Sequence, residues 1–255
     1  MATGFTRQGV AAVGTVLRHV AGEVGYTQTA GAPYVAVAGE QLVSDGSFAV
    51  VGQRSRALLT LPDSSLVGIG ANSRIEVNAI RQAENASSTI SIPQSGGTLR
   101  FDVKHPKGAV SNYTFVTPSS NVAVRGTIGL ISSSATNGDV ISCLACSPND
   151  VVVTIGSNAY PLVSGQTLVV TSAGAVSTVS TTGSILQSFS EAGLSTDPSA
   201  AAPVVLEPPH DATGQVLGAA AAAAAGAVLV DKHGAGPTPL PTSSGLVNLQ
   251  SRPKR

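Results

Sequence analysis

The two cysteines of the chain, Cys143 and Cys146, stand three apart in Ser142-Cys143-Leu144-Ala145-Cys146. That spacing serves a redox dithiol, half of a zinc site or a local disulfide. A redox pair normally opens a helix, whose dipole lowers a thiol pKa, whereas this one lies between strand-like segments and runs into Ser147-Pro148-Asn149-Asp150. No second Cys/His cluster supplies the other half of a four-ligand zinc site. The expectation is therefore a disulfide between Cys143 and Cys146, or two free thiols in a loop. The histidines, His19, His105, His210 and His233, are scattered along the chain and predict no metal site. There is no G-x-S-x-G elbow to nominate a nucleophilic serine. Gly68-Ile69-Gly70 begins like a phosphate loop, but Ala71-Asn72-Ser73 supplies no third glycine. No paired acid and base emerges, so neither an enzyme nor a cofactor is expected.

The charge that invites a functional reading is Arg125, in Val122-Ala123-Val124-Arg125-Gly126-Thr127. Read at period two, Val122, Val124, Gly126, Ile128 and Leu130 share one face, and Ala123, Arg125 and Thr127 share the other. Arg125 has two readings. With Thr127 beside it, it could bind a carboxylate on a ligand or partner, or it could fix two sheets by pairing with an acidic side chain such as Asp63 or Asp102.

The elements that must position these residues are strands. Charged residues are 11% of the 255-residue chain, basic and acidic groups balance at 14 each, and there is no Trp and one Met. The absence of a basic stripe argues against nucleic acid as a partner. Dominance of Val, Ala, Ser, Thr and Gly favours short strands and turns. Apolar pieces cut by turn residues recur every 8 to 12 residues or so, the rhythm of a sandwich or barrel. Arg56 to Leu61, the turn Pro62-Asp63-Ser64-Ser65 and Leu66 to Ile69 predict a hairpin. After Gly96-Gly97, Leu99, Phe101 and Val103 alternate with Arg100, Asp102 and Lys104, which predicts a strand with one wet face. Asn137-Gly138 predicts a reversal. Ile185, Leu186, Phe189 and Leu194 fall at roughly helical spacing and predict a short helix. The run from Val216 to Val230 holds no charge but is short and alanine-rich for a membrane span. It is expected to be an alanine-rich apolar helix that is exposed or docks on the β domain, with membrane association or a membrane span as the alternative. The proline-containing, basic end is expected to be a disordered tail. No convincing signal peptide opens the chain, because Arg18 and His19 interrupt where a cleavage site should lie.

Several pieces carry a resemblance in combination: Gly22-Glu23-Val24, Leu58-Leu59-Thr60-Leu61-Pro62-Asp63-Ser64-Ser65, Ser73-Arg74-Ile75-Glu76-Val77, Gly97-Thr98-Leu99-Arg100-Phe101-Asp102-Val103, Ser164-Gly165-Gln166 and, above all, Phe115-Val116-Thr117-Pro118 leading into Val122 to Thr127. In this order they resemble the periplasmic domain of the FecR family, the ferric-citrate-type regulators and their stand-alone bacterial relatives. The resemblance covers about residues 16–170. It departs from the family at Ser64, where glycine is usual, so a turn that needs no positive φ is expected. The cytoplasmic helices and membrane span of the regulator branch have no counterpart, which implies a stand-alone member.

The expected architecture is all-β, a two-sheet sandwich or jelly-roll-like domain with a short helix and an alanine-rich helical C-terminal segment. Its parts are an extension (1–15), the FecR-type β domain (16–180), a helix and Pro/Ala-rich linker (181–215), the apolar helix (216–231) and the tail (232–255). The expected role is a non-enzymatic periplasmic or cell-envelope module that binds a protein partner or envelope component in signalling. The alternative is a structural envelope protein, anchored or packed through its C-terminal apolar segment.

Overall fold

The computed structural model describes residues 14–78, 87–93, 95–104 and 112–205. They form two nine-stranded sheets and one short helix. The first sheet contains β1 (Thr15–Ala21), β4 (Glu40–Val43), β6 (Arg56–Thr60), β7 (Leu66–Ile69), β10 (Gly97–Asp102), β13 (Ile128–Ser134), β14 (Gly138–Ala145), β17 (Gln166–Val170) and β18 (Val176–Ser180). The second contains β2 (Val24–Thr27), β3 (Val35–Ala36), β5 (Ser47–Val51), β8 (Ser73–Asn78), β9 (Ser87–Ser91), β11 (Asn112–Val116), β12 (Asn121–Val124), β15 (Val151–Ile155) and β16 (Asn158–Leu162).

The strand order is 18-17-14-13-10-7-6-1-4 in the first sheet and 16-15-12-11-9-8-5-2-3 in the second. The chain thus lays down one or two strands in one sheet, crosses to the other, and advances along both together. This is a sandwich built progressively along its length, without the long returning connections of a jelly roll. Every pairing is antiparallel except β9 with β11. The turn at Pro62-Asp63 joins β6 to β7 as expected, and the reversal at Asn137-Gly138 joins β13 to β14.

Strand alternation puts one side of each sheet into a common core. Leu99 and Phe101 from β10 and Tyr113 and Phe115 from β11 meet there, all nearly or fully buried. Phe101 and Phe115 come from opposite sheets and stack with ring centroids 5.0 Å apart, tying the layers at mid-length.

The helix, α1 (Gly183–Glu191), begins at Thr182, whose side chain accepts a hydrogen bond from the Ile185 N–H. Its Phe189, with Leu194 and Val204, closes a second, smaller core over Leu130 on the outer face of the first sheet. No helix among the described residues is long and apolar enough to cross a membrane. The expected apolar helix at 216–231, the tail, and His105, His210 and His233 lie outside the described residues, as do residues 1–13.

Candidate functional site

Val122 to Thr127 is a crossing between sheets rather than one strand. Val122 and Val124 end β12 with their side chains in the core, Gly126 turns the backbone at φ +55°, and Ile128 begins β13 in the other sheet. Positive φ is what glycine supplies without steric cost. The phase of the alternation changes there. Gly129, Ile131 and Ser133 now face inward, and Leu130 packs outward under α1. The even-numbered face expected to continue past Gly126 therefore stops at it.

The crossing is fastened by its backbone and by Thr127. The Arg125 N–H donates to the Asp150 carbonyl at 2.8 Å, the Val103 N–H donates to the Thr127 carbonyl at 2.9 Å, and the buried Thr127 hydroxyl donates to the Ala145 carbonyl. The Arg125 side chain is exposed, and its guanidinium makes no ion pair with the described residues. Neither of its expected partners reaches it. Asp102 is held by Arg100, and Asp63 is engaged within its own turn.

In that turn Asp63 Oδ1 accepts from the Ser65 N–H at 2.9 Å and Oδ2 from the Ser65 hydroxyl at 2.9 Å. The same hydroxyl oxygen accepts from the Lys104 N–H at 3.0 Å. The Tyr113 hydroxyl also bonds Asp63, and its pKa is raised well above the tyrosine range by burial first and by the Asp63 charge second. Asp63 is thus a carboxylate that gathers a turn, a neighbouring strand end and a core tyrosine. Ser64, expected to avoid positive φ, adopts φ +67°, so the turn keeps the left-handed geometry that glycine would favour.

Cys143 and Cys146 are brought together, their sulfurs placed as a disulfide with Cα atoms 6.3 Å apart. Residues three apart on a regular strand point to opposite faces. Here Ile128 pairs with Ala145 and Gly129 with Cys143, leaving Leu144 as an extra residue. The bulge shifts the phase by one, so both cysteines contact the main core, Cys143 fully buried and Cys146 partly so. Cys146 is also pinned to the turn between β16 and β17, its N–H donating to Ser164 Oγ at 2.8 Å and its carbonyl accepting from that hydroxyl at 3.0 Å.

One fully enclosed charge is a residue that alternation assigned to solvent. Arg100 is fully buried on the outer face of β10, beneath the chain that follows α1. Its Nε donates to Asp102 Oδ1 at 2.7 Å and its Nη2 to Oδ2 at 3.0 Å. Its Nη1 donates to the Ser195 carbonyl at 2.9 Å and the Asp197 carbonyl at 2.7 Å. The guanidinium therefore straps residues 193–205 across the sheet. Gly68 makes room for the strap, because a Cβ there would lie 2.9 Å from the Pro203 carbonyl oxygen. The available signal was the pair Arg100-x-Asp102 on one strand face, facing a later apolar segment in need of a surface.

A second fully buried charge, the Asp139 carboxylate, accepts from the hydroxyls of Thr117, Ser120 and Ser133. This network explains Thr117-Pro118-Ser119-Ser120 as structural anchoring of the turn before β12. A cleft of about 230 Å³ lies between Arg54 and Arg56 near β6 and the end of α1 at Glu191 to Gly193, smaller than the roughly 300–1,000 Å³ of ordinary ligand sites. Among the described residues no cluster of three or more His, Cys, Asp or Glu side chains could hold a metal.

Residues 48–144 match the family model described as FecR protein. Two crystal structures of a Parabacteroides distasonis protein described as an anti-sigma factor are similar at 15% sequence identity and a TM-score of 0.45. The similarity covers 52% of this chain and 59% of theirs, so the chain spans about three fifths of their length. No curated protein matches the sequence. Residues 48–144, which hold the Asp63 turn, buried Arg100 and the crossing at Arg125, are a FecR domain.

Proposed function

We propose that this chain is a non-enzymatic binding and signalling module that acts in the periplasm or cell envelope and recognises a protein partner or envelope component. The FecR domain over residues 48–144 carries this reading. The geometry is consistent with it. The acidic side chains Asp63, Asp102 and Asp139 are all committed to internal hydrogen bonds, whereas Arg125 projects from a rigid crossing into solvent. An exposed guanidinium held by a fixed backbone is suited to a carboxylate on a partner. Here the sheets are joined without its side chain, so Arg125 is assigned to recognition, with Thr127 fixing its position. The β domain extends from residue 16 to about 180, and the helix with its strap closes over it.

The test is capture of partners from native envelope by the tagged full chain and by Arg125→Ala, with thermal unfolding measured on both. We expect the variant to melt within about 2 °C of the parent, since exposed substitutions change stability little, and to lose captured protein about tenfold. A large fall in melting temperature would return Arg125 to a structural role, and undiminished capture would move recognition elsewhere.

A second reading is a structural envelope protein, and the apolar side chains at the open sheet edges favour it. Association through residues 216–230 is part of that reading. It is tested by fractionating tagged chains with and without the residues after Gln215, and an unchanged fraction removes the anchor.

A further inference from the structure

The exposed large hydrophobic side chains among the described residues are Tyr34, Val35, Leu42, Val163, Val179 and Val205. All but Val205 sit in, or directly beside, the four strands that end the sheets. Because the chain advances along both sheets together, β4 and β3 terminate one end of the sandwich, and β18 and β16 terminate the other. Among the described residues, each end therefore offers two unpaired strand edges about 10 Å apart, the spacing of packed sheets. An open edge with its backbone donors and acceptors free is a template for another strand.

The two sheets differ in how these edges are guarded. In the second sheet, β16 contains Pro161 and β3 is two residues long with Pro33 close before it, both devices that block further pairing. In the first sheet, β18 is Val-Ser-Thr-Val-Ser, with neither charge nor proline, and β4 carries Glu40 alone. The side chain of Gln41 donates to the Leu42 carbonyl at 2.8 Å, an exposed contact that an incoming strand would displace.

We propose that copies of this chain associate head to tail through the first sheet, β18 of one copy pairing with β4 of the next. The nine strands of that sheet alternate in direction. Its first and ninth strands therefore run the same way, and a neighbour repeating the orientation of the first copy joins in parallel, as β9 and β11 already do internally. Val43 is buried toward the core and Leu42 points outward. On β18, Val176 packs against the core and Val179 lies on the outer face. The joined edges then set Val179 and Leu42 on the same face of one continuous sheet. The contact joins two different surfaces, so it propagates. A five-residue edge is about 17 Å long, and the sandwich end is about 20 Å deep, which gives roughly 350 Å² per copy. That is under half of a standard interface, so each junction is weak and assembly needs high concentration. This goes beyond recognition through Arg125 and does not depend on it.

Sedimentation of the full chain from about 10 μM to about 1 mM should show its average mass rising above 25.3 kDa. Val179→Lys and Leu42→Lys each charge one edge at an exposed position, so the fold should survive, as far-UV circular dichroism would confirm. Each variant alone should remain monomeric across this range. Mixed, they retain one intact junction, between β18 of the Leu42→Lys copy and β4 of the Val179→Lys copy, and should stop at twice the monomer mass. A parent chain that stays monomeric overturns the proposal. So does either variant assembling alone, or a mixture that fails to pair.

Discussion

Arg100 and Asp102, two residues apart on the outer face of β10, meet in a two-pronged ion pair at 2.7 and 3.0 Å, with the arginine fully buried. Asp102 orients the guanidinium, and the nitrogen left over takes two carbonyls from a segment nearly a hundred residues later. Burying a charge is costly unless its hydrogen-bonding groups find partners, so the strap and the pair require each other.

Arg100→Ala should lower unfolding free energy by about 3–5 kcal/mol, the usual cost of breaking a buried pair, and should open the strap first. Urea denaturation measures the loss, and limited proteolysis followed by mass spectrometry should find new cleavage within residues 193–205. Gly68→Ala, whose Cβ would press on the Pro203 carbonyl, should expose the same segment with a smaller loss of about 1–3 kcal/mol.

Ser64→Gly is expected to stabilise the protein. The serine holds φ +67°, a conformation costing an L-residue about 1–2 kcal/mol, partly offset by the greater unfolded-state freedom of glycine. A net gain of about 0.5–1 kcal/mol should appear as a higher urea midpoint with unchanged slope.

Tyr113 predicts an alkaline limb of stability. Burial and Asp63 raise its pKa in the folded state above the ordinary 10.0. The stabilisation is therefore fully present below pH 10.0. Above it the unfolded chain loses the proton while the folded chain keeps it, and stability falls with rising pH by about 1.4 kcal/mol per unit. Tyr113→Phe should be less stable at neutral pH, and its decline above pH 10.0 should be shallower by that slope in urea titrations.

For the cysteines we expect no titratable thiol in denatured, unreduced protein and two after reduction. Closing so small a loop in the unfolded chain is worth about 2 kcal/mol, so reductant should lower the urea-derived stability by about that amount. Two thiols found without reductant would sink the disulfide.

Much of the fold was legible because strands, turns and the short helix are written in local pattern. Alternation around Leu99 and Phe101 located the core face, Pro62-Asp63 and Asn137-Gly138 located turns, and Ile185, Leu186 and Phe189 located α1. The candidate site was less legible. Arg125 was readable as a charge beside glycine, but its partners are decided by which strands become neighbours. The same period-two pattern is produced by a strand that continues and by one that leaves its sheet at Gly126.

The local text of this sequence determined an all-β chain with a family pattern, because side-chain period and turn chemistry act within a few residues. Which of its arginines is enclosed was decided by tertiary structure alone. Arg100 sits on a face that alternation marks as wet, and only the return of residues 193–205 across it removes the water. Arg125 is left outside, because it continues the outer face of β12 with Asn121 and Ala123, and no later described segment returns across that face as residues 193–205 do across Arg100.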